Sequence, residues 1–175
     1  KAKKAALLPL NGKDRETWTY LPDKFIKPDV KRKGLVVKEM TPQQRILAHG
    51  LLSSALSHRG YLEATTIMTL EQILFDITGD AIRDPELYYV SIYGTPSKAG
   101  TWGWRFEGHH ISLHFTMVNG RIFSVTPSFF GSNPAEVKEG PFKGLKVLAD
   151  EENKARNLAR SLSPPQRELG ILSEK

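Results

Sequence analysis

The sequence contains no cysteine and no long hydrophobic run. The absence of cysteine from its 175 residues excludes disulfide bonds, thiolate metal sites and a cysteine nucleophile. No apolar run approaches the roughly 18–20 residues that a membrane-spanning helix needs, so we expect a soluble chain without a membrane span. The signatures of serine hydrolases, zinc proteases and phosphate-binding loops are missing as well. The sequence therefore offers no familiar catalytic motif.

Positive charge is concentrated near the N-terminus. The formal net charge is +6. Residues 1–45 contribute twelve basic and five acidic side chains, whereas residues 46–175 contribute thirteen and fourteen. Nucleic-acid binding normally needs a basic stripe backed by stacking aromatic residues or a recognisable module, and neither is evident. We therefore expect a solvated basic arm and no nucleic-acid partner.

Prolines and glycines interrupt the first 40 residues, whereas regular patterns begin after them. Residues 1–40 predict a basic, irregular N-terminal arm in which Thr17–Leu21 and Leu35–Val37 form short extended strips. Residues 41–175 predict a single α+β domain. The chain is thus expected to consist of one arm and one domain.

The strongest helix start lies at the beginning of this domain. Thr41 can serve as the N-cap, Pro42 suits the first helical position, and Gln44 completes a capping box. The helix is expected to end at Gly60. A second helix over about residues 62–77 is expected to form an antiparallel pair with it.

Four runs rich in aromatic and β-branched residues follow the helix pair. They predict strands at residues 87–93, 101–106, 110–118 and 121–126. The connections are too short for crossovers, so the fold class is α+β with an about four-stranded, largely antiparallel sheet. The helix pair and an amphipathic helix over about residues 147–162 are expected to pack against this sheet.

A last helix is predicted to start at Ser163. Its apolar residues Leu169, Ile171 and Leu172 have no later partner in the sequence. Exposed apolar clusters usually mark an interface. We therefore expect the chain to be the N-terminal part of a longer protein, with this helix contacting a missing C-terminal part or another chain.

Three of the five histidines, His109, His110 and His114, lie within six residues of each other and close to Glu107. Imidazole and carboxylate are the usual ligands of transition metals and the usual acid–base pair. In a strand, His109 and His110 would face opposite sides, and His110 and His114 would lie about 13 Å apart. Neither pair would then chelate one ion without a bulge, although Glu107 and His109 have the favourable i, i+2 spacing.

Three interpretations of the histidines stay open. The pair His109 and His110 is structural, or it forms a metal or acid–base site that other residues complete, or it binds a ligand without chemistry. The candidate site on these interpretations consists of Glu107, His109, His110, Ser112 and His114.

Large aromatic residues alternate along the second predicted strand. Trp102, Trp104 and Phe106 therefore share one face. Such a row is typical of a hydrophobic core. The alternative is a ligand platform at Trp102 and Trp104 that stacks against a sugar or a base.

The connection at Asn119 and Gly120 decides which residues share a face in the last hairpin. A two-residue turn would mix polar and apolar residues on both faces, whereas a three-residue bulged loop pairs Phe115 with Phe123 and segregates them. We predict the bulged register, with His109 turned toward the core. The polar face would then carry His110, Ser112, His114, Ser124 and Thr126.

Several specific runs resemble a known family. They are Arg83–Tyr88, Trp102–Leu113 and Thr126–Pro134, and together with shorter matches they extend the resemblance over nearly the whole chain. The family is that of domain of unknown function 3500. The resemblance implies an uncharacterised, exported bacterial protein, located in the periplasm or outside the cell, and it implies no established activity.

Two functions follow from these observations. The first is an exported binding or interaction domain without chemistry of its own. The alternative is a metal-dependent or acid–base hydrolytic enzyme with a site near Glu107, His109 and His110, for which a divalent transition metal held by the two histidines would be the cofactor. The sequence does not decide whether the chain is an enzyme.

Overall fold

The computed structural model describes residues 2–171, and a mixed β-sheet forms its centre. The strand order is β1-β3-β4-β5-β6, and β2 also pairs with β3. The strands are β1 (Leu7–Leu8), β2 (Leu35–Val36), β3 (Tyr88–Tyr93), β4 (Thr101–Gly108), β5 (Ile111–Val118) and β6 (Arg121–Phe130).

The sheet is larger than the four-stranded, antiparallel sheet that the sequence predicts. The four predicted strands are present as β3 to β6 and are antiparallel to one another. Two short strands from the N-terminal arm extend the sheet along the free edge of β3. Of these, β2 is antiparallel to β3 and β1 is parallel to it, so the sheet is mixed. Two-residue strands carry no periodicity, which is why the sequence pattern predicts β2 only as an extended strip and β1 not at all.

The helices are distributed along the whole chain. They are α1 (Ala2–Ala6), α2 (Pro42–Ala55), α3 (His58–Thr78), α4 (Ala149–Ser161) and α5 (Pro164–Gly170). Single-turn 3₁₀ helices occur within the arm at Lys13–Arg15, Asp23–Phe25, Pro28–Val30 and Val37–Glu39.

Side-chain capping determines where α2 begins. The Thr41 hydroxyl accepts a hydrogen bond from the Gln44 backbone N–H, and the Gln44 side chain accepts one from the Thr41 N–H. This reciprocal pair satisfies backbone donors that the first helical turn leaves free, which confirms the predicted capping box.

The connection between α2 and α3 differs from the prediction. Ser57 accepts a hydrogen bond from the Gly60 N–H and caps α3, so the break falls at Leu56 and Ser57 rather than at Gly60. Gly60 lies inside the first turn of α3. The Ser57 side chain accepts a hydrogen bond from one of the free backbone N–H groups at the start of α3, and this cap determines where the new helix begins. The predicted end of α3 at Gly79 is confirmed, since Gly79 has a left-handed φ of 67°.

One face of the sheet is apolar and packs against α2 and α3. Leu52, Ala64 and Ile67 of these helices belong to the same core cluster as the sheet residues. The rings of Trp104 and Phe115 stack with centroids 4.0 Å apart. The buried apolar residues of this face are Tyr88, Val90, Trp104, Phe106, Ile111, Leu113 and Phe115.

The opposite face of the sheet is polar and is buried beneath the N-terminal arm. Arg105 donates hydrogen bonds to the backbone carbonyls of Asp14 and Thr17, at 2.9 and 2.8 Å. Arg32 of the arm donates to the carbonyl of Gly108 at the end of β4, at 2.8 Å. The Ser91 hydroxyl donates to the carbonyl of Lys33. The arm is therefore a layer of the fold and not the solvated extension expected from its charge.

The hairpin between β5 and β6 does not have the predicted register. Val118 pairs with Arg121 across a two-residue turn, in which Asn119 and Gly120 have φ angles of 49° and 76°. The predicted three-residue loop is wrong because Asn-Gly fits the left-handed positions of a two-residue turn. The local turn preference thus determines how the hairpin begins.

Irregular pairing within the same hairpin restores the separation of the two faces. Met117 pairs with Ile122, but the preceding residue Thr116 pairs with Ser124, so the register shifts by one residue at this point. Phe115 therefore lies opposite Val125 rather than Phe123. Phe123 is 77% exposed, whereas Phe115 is 2% exposed. The extra residue of a bulge allows one strand to move by one position without exposing its core residues.

The C-terminal helices lie at the periphery. None of the residues of α4 or α5 is buried. The predicted packing of the amphipathic helix of about residues 147–162, which corresponds to α4, against the sheet is therefore wrong. Val147 packs against the core just before α4 begins. Arg59 of α3 forms ion pairs with Asp150 and Glu151 in the first turn of α4. Leu169 is exposed as expected, and Leu172 lies outside the described residues.

Candidate functional site

The two adjacent histidines form the tip of the hairpin between β4 and β5. Gly108 pairs with Ile111, so His109 and His110 are the connecting residues and not strand residues. His110 has a left-handed φ of 60°. The expectation that the two side chains point to opposite faces of a strand is therefore wrong. Their rings lie against each other instead, with centroids 4.0 Å apart.

His109 holds the hairpin tip against helix α3. Its Nδ1 lies 2.8 Å from Oε1 of Glu71, a buried residue of α3, and 3.4 Å from Nη1 of Arg83. Because Nδ1 cannot donate to Glu71 and accept from Arg83 at the same time, the shorter contact identifies it as the donor to Glu71. Arg83 lies 3.4 Å from the same carboxylate oxygen. This cluster neutralises a buried carboxylate and fixes the tip.

His110 is held by the backbone on both sides. Its N–H donates to the carbonyl of Tyr20 at 3.0 Å, and its carbonyl accepts from the N–H of Gly131 at 2.8 Å. Burial lowers the pKa of His110 to about 4, and the neighbouring His109 acts in the same direction. The His110 ring is therefore neutral near pH 7 and is packed between the arm and the segment after β6.

The hairpin tip gives no support to a bound metal ion. The planes of the His109 and His110 rings are inclined at 33° to each other, and Nδ1 of His109 is already in contact with Glu71. Within residues 2–171, no group of three or more histidine, aspartate or glutamate side chains is placed to hold a metal. A metal ion held by His109 and His110 therefore stays a prediction.

Within residues 2–171, Glu107 contacts Arg105 and not the two histidines. Its Oε1 is 2.9 Å from Nη2 of Arg105, and both side chains are 2% exposed. Burial raises the pKa of Glu107 to about 7, although Arg105 and Arg32 act in the opposite direction. Among the described residues, no ion pair joins Glu107 to His109 or His110. The three residues therefore do not form one acid–base cluster.

Ser112 and His114 are neighbours on the polar face. The Ser112 Oγ lies 3.2 Å from His114 Nε2, and both residues are buried. Burial lowers the pKa of His114 to about 3, with Arg105 and Arg15 acting in the same direction. Ser124 pairs with Thr116 of this face, and its hydroxyl lies 2.9 Å from that of Thr126. Four of the five predicted polar-face residues thus lie there despite the different register, and His110 does not.

The aromatic residues of the proposed platform pack on the core. Trp104 is buried and stacks on Phe115, and both belong to the core cluster. Trp102 is partly buried, and its indole N–H donates to the carbonyl of Ser97 at 3.1 Å. This packing favours the core interpretation, whereas the ligand platform at Trp102 and Trp104 stays a prediction, because Trp104 is also among the residues that line the cavity described next.

A cavity of about 350 Å³ lies between the arm and the polar face of the sheet. Its volume is near the lower end of the range of about 300–1,000 Å³ that is typical of small-molecule sites. The sheet contributes Tyr93, His114, Thr116 and Thr126, and the arm contributes Asn11, Arg15 and Glu16. The cavity therefore has polar groups on both of its walls.

Gly103 creates the space in which the arm meets the sheet. A Cβ atom at this position would lie 2.9 Å from the carbonyl oxygen of Phe115, and 3.7 Å from Nε of Arg15. The Arg15 side chain fills part of the space and donates from Nη2 to the Thr116 hydroxyl at 2.7 Å. A larger residue at Gly103 would therefore clash with the backbone of β5, whereas its contact with Arg15 would be an ordinary one.

The sheet wall of the cavity presents uncharged hydrogen-bonding groups. The Tyr93 hydroxyl is buried and has no hydrogen-bond partner in the described part of the chain. Burial raises its pKa to about 12, so the hydroxyl stays protonated near pH 7. Glu16 and Arg15 carry charges of opposite sign on the arm wall. The cavity can therefore offer several hydrogen bonds without a net charge.

Sequence reasoning missed most residues of this cavity. Tyr93 lies two positions after Ser91, and Glu107 lies two positions after Arg105, so polar residues at every second position of the central strands were the available signal. That pattern indicates a polar face but does not reveal what covers it. The covering arm is reached only through contacts such as Arg105 to Asp14, between residues far apart in the sequence.

These features define an α+β domain in which an N-terminal arm closes a polar cavity on one face of a mixed sheet. The chain belongs to the family described as "Protein of unknown function (DUF3500)", which matches residues 1–175, and this confirms the resemblance seen in the sequence. Comparison with curated proteins and with solved structures found no match. Within residues 2–171, none of the helices is long and apolar enough to cross a membrane.

Proposed function

We propose that this chain is a binding domain that holds a small polar ligand in the cavity between the arm and the sheet. The cavity itself carries this proposal, because its volume of about 350 Å³ falls within the range of small-molecule sites and both of its walls carry hydrogen-bonding side chains. These side chains are Thr116 and Thr126 on the sheet side and Asn11, Arg15 and Glu16 on the arm side. A ligand would exchange its hydrogen bonds with water for hydrogen bonds with these groups.

The polar residues around the cavity support binding rather than catalysis. The Ser112 and His114 contact resembles a nucleophile with its base, but Ser112 is fully buried. The pKa of His114, lowered to about 3, is far below the value near 7 that a general base needs. A ligand in the cavity would therefore meet donors and acceptors and no activated nucleophile at this pair. The family resemblance supports a location outside the cytoplasm for this binding domain.

A thermal-shift experiment tests the proposal. The protein is titrated with three panels of compounds, namely neutral sugars, amino acids and small carboxylates. A ligand specific to the native state must raise the melting temperature. Asn11→Trp fills the cavity from its exposed rim, and Lys143→Trp adds the same side chain to a distant exposed loop.

We expect at least one compound to stabilise the wild type and Lys143→Trp but not Asn11→Trp. The Asn11→Trp variant is expected to fold, because residue 11 is exposed. If no panel raises the melting temperature, or if Asn11→Trp responds like the wild type, the cavity is not a ligand site.

A further inference from the structure

The charges around the cavity favour a neutral ligand. The sheet wall carries hydroxyls and a neutral imidazole, from Thr116, Thr126 and His114. On the arm wall, the guanidinium of Arg15 already donates to Thr116 and is followed in the chain by Glu16. An anion would therefore meet a neighbouring carboxylate, and a cation would meet a neighbouring guanidinium. A neutral molecule avoids both repulsions.

The polar groups at the rim favour a ligand with adjacent hydroxyls. Asn11, Arg15 and Glu16 each end in a planar group with two or more polar atoms. Adjacent hydroxyl groups of a sugar ring can each donate and accept, and their spacing matches two atoms of a planar amide, carboxylate or guanidinium. The Thr116 and Thr126 hydroxyls can add single hydrogen bonds from the sheet side.

An exposed aromatic surface lies next to the cavity. Trp18 and Tyr20 are 45% and 42% exposed, and their ring centroids are 6.3 Å apart. Both rings also contact Phe129 of β6, with centroid distances of 5.9 and 5.1 Å. The carbonyl of Tyr20 accepts the backbone hydrogen bond from His110, which fixes the segment that carries the rings.

Both walls of the cavity lead within a few residues of the chain to the aromatic surface. Trp18 follows the cavity residue Glu16 by two positions, and Phe129 follows Thr126 by three. Two residues span at most about 7 Å and three at most about 11 Å, so the surface begins within one sugar ring or two of the cavity. The C–H face of a pyranose ring packs well on an exposed aromatic face.

We propose that the ligand is a neutral carbohydrate, with one sugar ring in the cavity and a further ring over Trp18 and Tyr20. This inference rests on the proposed function and names the class of ligand for the same site. Neither wall alone distinguishes a sugar from other polar molecules. The neutral cavity and the adjoining aromatic surface together fit a saccharide of two or more units.

The test is a binding experiment with defined probes. The wild type is screened on a glycan array that includes neutral, N-acetylated and uronic-acid saccharides, and hits are measured by calorimetry as monosaccharide and disaccharide. Thr126→Val removes one hydroxyl from the cavity, and Trp18→Ala removes the exposed ring. Phe123→Ala removes an exposed aromatic ring of β6 for which, among residues 2–171, no ring contact with this surface is found.

We expect a neutral disaccharide to bind, with affinity reduced about tenfold in Thr126→Val and in Trp18→Ala and unchanged in Phe123→Ala. Trp18→Ala should weaken the disaccharide more than the monosaccharide, because only the longer ligand reaches the aromatic surface. Asn11→Trp, whose substituted residue is exposed, serves as a second probe of the cavity.

The outcomes separate this inference from the proposed function. If no saccharide binds but an amino acid or carboxylate does, and Thr126→Val or Asn11→Trp weakens it, the carbohydrate inference is overturned and the binding site stands. If no compound of any class binds, both are overturned. Saccharide binding that all the variants retain would place the sugar elsewhere and also overturn the inference.

Discussion

Nη2 of Arg105 lies 2.9 Å from Oε1 of Glu107, and the two side chains are among the most deeply buried charged groups of the described chain. The residues are two positions apart on β4 and therefore share a face. Arg105 also binds the carbonyls of Asp14 and Thr17 in the arm. One guanidinium thus compensates a buried carboxylate and attaches the arm to the sheet.

Arg105→Met is expected to destabilise the fold and release the arm. Removal of one partner of a buried ion pair leaves the other charge uncompensated, which typically costs about 3–5 kcal/mol. Urea denaturation measures the free energy of unfolding, and trypsin cleavage at Lys13 and Arg15 measures release of the arm. Lys138→Met breaks the exposed pair with Glu136 and should cost at most about 1 kcal/mol. Equal stability of the two variants would contradict the role of Arg105.

Two tyrosines on one strand face provide a matched comparison. The Tyr89 hydroxyl donates to Asp23, whereas the Tyr93 hydroxyl has no partner among the described residues. Tyr89→Phe removes a hydrogen bond to a charged group and should cost about 1.5–3 kcal/mol. Tyr93→Phe should leave the free energy of unfolding unchanged or raise it. A similar loss in both variants would mean that Tyr93 has a partner in solution.

Local signals in the sequence predicted the elements whose partners are close along the chain. The Thr41 cap, the end of α3 at Gly79 and the four long strands depend on neighbouring residues and on periodicity. The aromatic alternation at Trp104 correctly indicated a core face. Elements of this kind are predictable because the residues that stabilise them are also the residues that form them.

The candidate site could not be predicted in the same way, because its residues contact partners that are far away in the sequence. His109 and His110 form a turn without a glycine or asparagine at its two central positions, so the sequence pattern places His110 at the start of a strand instead. The partner of His109 is Glu71, far away in the sequence. The cavity exists because the arm folds back over β4, through interactions such as Arg15 with Thr116. Such long-range pairs leave no periodic pattern in the sequence.

The two phenylalanines that the sequence predicted to pair should differ sharply in their effect on stability. Phe115→Ala removes a buried ring stacked on Trp104 and should cost about 3–5 kcal/mol. Phe123→Ala removes an exposed ring and should change the free energy of unfolding by no more than about 0.5 kcal/mol. Urea denaturation of both variants measures the difference. A large loss in Phe123→Ala would support the register predicted from the sequence.

Truncation after Leu162 is expected to change stability little. The truncation removes α5, which contributes no buried residue, and it removes the exposed Leu169. Thermal denaturation of the truncated chain and of the full chain compares the two. A decrease of many degrees in the melting temperature of the truncated chain would show that α5 packs onto this domain. The substitution Leu169→Ser, which leaves the helix in place, should also be neutral.

The buried histidine His114 should make the protein less stable in acid. Its pKa is lowered to about 3 in the folded protein, whereas an unfolded histidine titrates near 6.5. Between these values the unfolded state binds the additional proton, so this contribution to stability is complete above about pH 6.5 and is lost as the pH falls. The slope is about 1.4 kcal/mol per pH unit, or about 2 kcal/mol between pH 7 and pH 5.

Glu107 acts in the opposite direction over the same interval. Its pKa is raised from 4.5 to about 7, so the folded state binds the additional proton, and this contribution is lost as the pH rises through 7. Urea denaturation at pH 7 and pH 5 separates the two groups. His114→Asn should lose about 2 kcal/mol less than the wild type on acidification, and Glu107→Gln should lose more than the wild type. If His114→Asn keeps the wild-type pH dependence, the buried imidazole does not control stability in acid.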